Sequence, residues 1–109
     1  MDPTVLNLGL DLAMAFGADW QRPIQGRLAA QVPRLTAVER DAVDALCREV
    51  MAFGQGRLVA CWRQAHGDEA LAVAGFRRAV LARYPWVCEA NLSRLFAQAC
   101  YYAFRDGAI

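Results

Sequence analysis

Apolar side chains recur every three to four positions along this 109-residue chain, with no sustained alternation anywhere. That spacing marks helices that bury one stripe; alternation would mark strands. β-Branched residues are few and no Asn-Gly hairpin turn occurs. The pattern predicts an all-α, up-and-down helical bundle. It has four main helices plus one short connecting helix, in a single domain over 1–109.

The first helix is predicted over Pro3–Phe16, with Asp2 as cap, Pro3 at the first helical position and Gly17 closing it. Val5, Leu8, Leu12 and Phe16 form one stripe, expected to face the core. Leu6, Leu10 and Met14 form a second stripe on a different side, with only Asn7 and Asp11 clearly polar. A helix apolar nearly all round is central or touches two partners. In the connector that follows, Trp20, Pro23 and Pro33 bracket a short helix, Ile24–Gln31, and Trp20 is expected to lid the core.

The second main helix opens on a capping box, Thr36-Ala37-Val38-Glu39, and runs toward His66, where Gly67 closes it. Its stripe is Ala42, Val43, Leu46, Val50 and Phe53, flanked by Cys47 and Met51. After Gly54 and Gly56 the stripe becomes Leu58, Cys61, Trp62 and Ala65, turned by roughly 80–90°. The glycines therefore mark a kink or a change of packing neighbour. The third main helix, Asp68–Tyr84, carries Val73, Phe76, Val80 and Tyr84 beside a smooth strip of Ala72, Gly75, Ala79 and Ala82. Pro85 ends it. In the fourth, Trp86–Asp106, Leu92, Leu95, Phe96, Ala99, Cys100 and Ala103 point inward. Asn91, Arg94, Gln98, Tyr101, Tyr102 and Arg105 form a polar-aromatic strip without an acidic residue, the best candidate for a recognition surface.

Composition narrows the function. The chain is 57% apolar, and twelve basic residues nearly cancel eleven acidic ones, for a net charge of +1. No field of one sign would steer it to nucleic acid or an anionic membrane. Arg77, Arg78 and Arg83, the best basic cluster, point at differing angles, so DNA or RNA binding is not expected. All twelve basic residues are Arg. Beside so much Ala, that fits the base composition of a bacterial genome better than phosphate recognition. Cys47, Cys61, Cys88 and Cys100 lie in no zinc-ligand spacing and read as core thiols in a reducing cytoplasm. The apolar stretch Val5–Phe16 is interrupted by Asp11 and falls short of the roughly 20 residues of a membrane span, and no export signal is recognised.

Chemistry finds little purchase. Ser93, the only Ser, sits mid-helix without a nucleophile elbow. His66, the only His, ends a helix, where an imidazolium can interact with the dipole. There is no Glu-x-x-His pair for a metal, and no Lys for a phosphate-binding loop. No cofactor and no metal are expected. Trp62, Phe76, Phe96 and Phe104 could line a pocket between helices, but a core needs the same residues.

The expectation is a non-enzymatic interaction or regulatory domain, pairing as a homodimer or binding another protein. Its interface would use Leu6, Leu10 and Met14, with Trp20, Arg94, Gln98, Tyr101, Tyr102 and Arg105. The alternative is a small-molecule-binding or enzymatic helical domain with a pocket between helices.

Overall fold

The computed structural model describes residues 1–109. The element order is α1 (Pro3–Ala13), a 3-10 turn (Gly17–Asp19), α2 (Gln25–Gln31), α3 (Ala37–Gln64), α4 (Glu69–Arg83) and α5 (Glu89–Arg105), with no strand. This is an all-α helical bundle of four main helices and one short connecting helix. No helix is long and apolar enough to cross a membrane.

The helix ends follow local chemistry. The Thr4 N–H donates to Asp2 Oδ1 at 2.9 Å, and Pro3 stands in the first turn of α1. The capping box is reciprocal: the Glu39 N–H donates to Thr36 Oγ1 at 3.1 Å, and the Thr36 N–H donates to Glu39 Oε1 at 2.9 Å. That second bond, first among the causes, holds the Glu39 carboxyl below its ordinary pKa. Asp68 caps α4 by accepting from the Leu71 N–H. His66 and Gly67 both take left-handed φ, 52° and 83°, and so reverse the chain after α3. Two ends differ from expectation. α1 stops at Ala13, which leaves Phe16 outside it in extended backbone. α5 begins only at Glu89, with Cys88 as its N-cap.

Tertiary contacts divide the chain into two compact units, Met1–Glu49 and Val50–Ile109, with the division inside α3. α3 itself is unbroken through Gly54 and Gly56. Its buried positions are Val43, Cys47, Val50, Gly54, Leu58, Cys61 and Ala65. These run at spacings of three and four straight through Gly54, so the stripe carries on without a turn aside. Ala42, placed in the stripe from sequence, is exposed.

In the first unit, α1 turns a different face inward from the one its large side chains suggest. Val5, Leu6, Gly9, Leu10 and Met14 are buried, whereas Leu8 and Leu12 are half-buried. The face is rotated by roughly 100° from the predicted stripe, and Gly9 stands near its centre. There the backbone of α1 comes close to α3: a Cβ added at Gly9 would lie 2.5 Å from Val43 Cγ1 and 3.2 Å from Cys47 Sγ. The Cys47 thiol donates to the Leu6 carbonyl oxygen at 3.8 Å. Burial, followed by the nearby Asp44 charge, pushes that thiol's pKa up to about 12. Gln25 fastens α2 to α3, its Nε2 donating to Asp41 Oδ1 at 3.3 Å and Asp44 Oδ2 at 3.2 Å.

In the second unit, the rest of α3 packs with α4 and α5. The Phe76 ring, fully buried, meets Phe96 edge-on at 5.4 Å. Phe53 meets Tyr84 the same way at 5.5 Å. Leu95 of α5 lies over Gly54, where a Cβ would come within 3.1 Å of its Cγ. Arg77 of α4 grips both carboxylate oxygens of Glu89 at the start of α5, with Nη2–Oε1 at 2.7 Å. That bidentate pair lowers the Glu89 pKa and raises that of Arg77.

Candidate interaction surface

The structure separates the residues proposed for one interface. Leu6, Leu10 and Met14 are 4%, 0% and 1% exposed, so they belong to the core of the first unit and form no docking face. The physical reason is the rotation of α1: its backbone nears α3 at Gly9, and these three side chains flank that approach. Trp20 is 39% exposed beside Phe16, which is 56% exposed, and the two rings touch at 6.4 Å. Phe16 was assigned to the core from sequence. Trp20 lies in the turn after α1, more open than a lid would be.

The polar-aromatic strip of α5 is divided lengthwise. Asn91, Gln98 and Tyr102 are buried, whereas Arg94, Tyr101 and Arg105 are exposed. Asn91 and Gln98 look like surface residues because their side chains are polar, yet buried amides persist where they are hydrogen-bonded. Arg105 lies over the Tyr102 ring at 4.8 Å, and its Nε donates to Asp106 Oδ1 at 3.1 Å. The exposed half of the strip therefore carries two arginines, Arg94 and the Arg105 that Asp106 neutralises, and one tyrosine ring.

Other large apolar side chains are exposed on α4 and α5. Phe104, expected to line a pocket, is 76% exposed on α5, and Leu71 is 61% exposed on α4. Hydrophobic spacing alone does not identify such positions, because apolar residues on a protein surface are ordinary.

Of the four aromatic residues expected to line a pocket, Trp62 is half-buried on α3. Phe76 and Phe96 fill the space between α4 and α5 by contacting each other, and Phe104 points to solvent. A groove of about 160 Å³ does lie between these helices, lined by Val73, Arg77, Leu92, Ser93 and Phe96. Sites for drug-sized ligands hold several hundred Å³. Its one cationic side chain, Arg77, is already engaged by Glu89.

The candidates for chemistry stay apart. All four cysteines are free thiols; Cys47 and Cys61 are buried, Cys100 is half-buried and Cys88 is exposed. Cys88 thus leaves the set of expected core thiols, because α5 starts after it. Burial, and next the Glu69 charge, raise the Cys100 pKa. No three His, Cys, Asp or Glu side chains gather into a metal-binding group. His66 is exposed in its left-handed turn. No protein-family model, curated protein or solved structure matches the chain.

Proposed function

We propose that this chain is a non-enzymatic helical interaction domain that pairs with a second copy of itself, in the cytoplasm of a bacterium. The observation that carries the reading is the Phe16–Trp20 pair. Two large aromatic rings stand together at the surface of the first unit, each more than a third exposed. Paired aromatic side chains supply much of the binding energy at protein interfaces. A self-complementary contact would cover them in both copies at once. The surface that supports pairing is therefore the turn after α1, with Trp20 retained from the sequence-based interface and Phe16 taking the place of Leu6, Leu10 and Met14. Four unbridged cysteines suit a reducing cytoplasm. An all-arginine, alanine-rich composition suits a bacterial genome of high G+C content.

Sedimentation at about 100 μM, well above the Kd of a stable pair, tests the reading. The parent should sediment as a dimer, and the double variant Phe16→Ser with Trp20→Ser as a monomer of unchanged helicity. A parent that stays monomeric at that concentration overturns the pairing.

A further inference from the structure

The chain-wide charge of +1 hides an imbalance. Residues 50–109 carry seven arginines against four acidic residues. Four of these arginines, Arg57, Arg63, Arg78 and Arg83, take part in no ion pair, and of the four only Arg83 is held against aromatic rings, with Arg57 one helical turn beyond one of them. Arg83 does not extend freely into solvent. Its guanidinium lies 5.1 Å from the centre of the Phe53 ring and 5.6 Å from that of Tyr84. Trp86, half-buried, stands edge-on at 6.4 Å to the buried Tyr84 ring. Arg57 follows Phe53 on α3 by one helical turn, a rise of about 6 Å, and is exposed.

We propose that this cluster binds an acidic peptide segment of a partner protein, one with at least two carboxylates. Ring contacts hold the Arg83 guanidinium in place and leave its charge unanswered. A planar fork restrained in this way gives up less freedom when it clamps a carboxylate. Arg57 supplies the second cation. Phe53 and Trp86, both half-buried, supply apolar contact beside the charges, and Trp and Arg are among the residues enriched at binding hot spots. The proposal deepens the interaction reading by naming a partner chemistry. It uses residues of the other unit, so self-pairing through Phe16 and Trp20 and peptide capture through Arg83 succeed or fail separately.

The test is selection of random twelve-residue peptides displayed on phage against the intact protein, with binding of recovered peptides measured by fluorescence anisotropy. Recovered peptides should be rich in paired Asp and Glu. They should bind about tenfold or more weakly to Arg83→Ala and to Arg57→Ala, with circular dichroism unchanged. Arg83→Lys, which keeps the charge but not the fork, should also bind more weakly than the parent. Recovery of no peptides, of peptides without acidic pairs, or of peptides indifferent to Arg83→Ala overturns the proposal. So does a single-stranded oligonucleotide that binds through the same two arginines while no acidic peptide is recovered.

Discussion

Gly9 and Val43 mark a close approach of α1 to α3: a methyl group at Gly9 would stand 2.5 Å from Val43 Cγ1. Glycine to alanine inside a helix ordinarily stabilises, by roughly 1 kcal/mol. Here the sign reverses. Gly9→Ala should destabilise the protein by about 1–3 kcal/mol, because Val43 belongs to a packed core and overpacking forces a shift. Gly75 is the contrast, since a Cβ there meets Cys61 Sγ at an ordinary 3.7 Å. Gly75→Ala should be neutral or stabilising, whereas Gly75→Leu should cost about 1–3 kcal/mol. Urea unfolding of the three variants checks this. Combining Gly9→Ala with Val43→Ala should cost less than the two changes added together, because the clash and the cavity cancel in part.

The same contact explains what the amino-acid sequence disclosed and what it withheld. Asp2, Thr36 with Glu39, and Asp68 mark helix ends through bonds to neighbours a few residues away, Gly67 marks one by its left-handed backbone, and each does so in the structure. The all-α class was legible for the same local reason. Which face of a helix turns inward depends on distant residues. A search for large apolar side chains passes over Gly9 because glycine has none, yet Gly9 sits near the middle of the buried face of α1. Gly54 misled in a similar way. It suggested a turn in the buried stripe but is itself one of the buried positions, beneath Leu95. Asn91 and Gln98 made half of the candidate recognition strip look exposed. The Phe16–Trp20 and Arg83–Phe53 contacts arise from a chain reversal and from helix pairing, and neither has a spacing signature.

Gln25 gives a pH-dependent test of how α2 is fastened. Its amide nitrogen donates to both Asp41 and Asp44, while its buried Oε1 has no hydrogen-bond partner. Gln25→Glu would replace that donor with a third carboxylate. Like charges raise the pKa of such a group in the folded state. The variant should lose about 1 kcal/mol near neutral pH and recover much of it as the pH falls through the raised value toward about 4, where the new carboxyl is protonated. Gln25→Leu, which adds no charge, should show no comparable recovery. Urea midpoints across this range distinguish the two.

Glu39 and Glu89 predict part of the acid limb of stability. The Thr36 backbone N–H leads the causes that lower the Glu39 pKa, and the Arg77 side-chain hydrogen bond leads those for Glu89. A folded-state pKa below the unfolded one means the folded protein binds fewer protons. The stabilisation is therefore present above the ordinary value of 4.5 and is lost as pH falls through the lowered one. Glu39→Gln and Glu89→Gln should each be less stable than the parent at neutral pH and should converge with it in acid. Added salt should shrink the Glu89 difference, since both partners of that pair are at the surface.

Thiol accessibility should resolve the four cysteines. With a disulfide reagent at about pH 8, Cys88 should react first, Cys100 more slowly, and Cys47 and Cys61 only on unfolding. Cys47, its pKa pushed up to about 12 by burial, stays a thiol at that pH. Peptide mapping of the first labelled position checks the order. Early labelling at Cys47 would mean that α1 separates readily from α3.

Truncating side chains of α1 and of the turn after it should separate two effects in neighbouring residues. Leu10 is fully buried and Leu6 nearly so. Leu6→Ala and Leu10→Ala should each cost about 2–5 kcal/mol, from lost transfer free energy and the cavity left behind. Leu6→Glu with Leu10→Glu should unfold the protein, because two carboxylates would be buried without partners. Phe16→Ser and Trp20→Ser remove rings that are already half in water and should cost far less stability. Their effect should appear in sedimentation, as loss of self-association, with the unfolding midpoint almost unmoved. A Leu6→Glu, Leu10→Glu variant that instead stays folded and becomes monomeric would return the docking face to α1, contrary to the packing at Gly9.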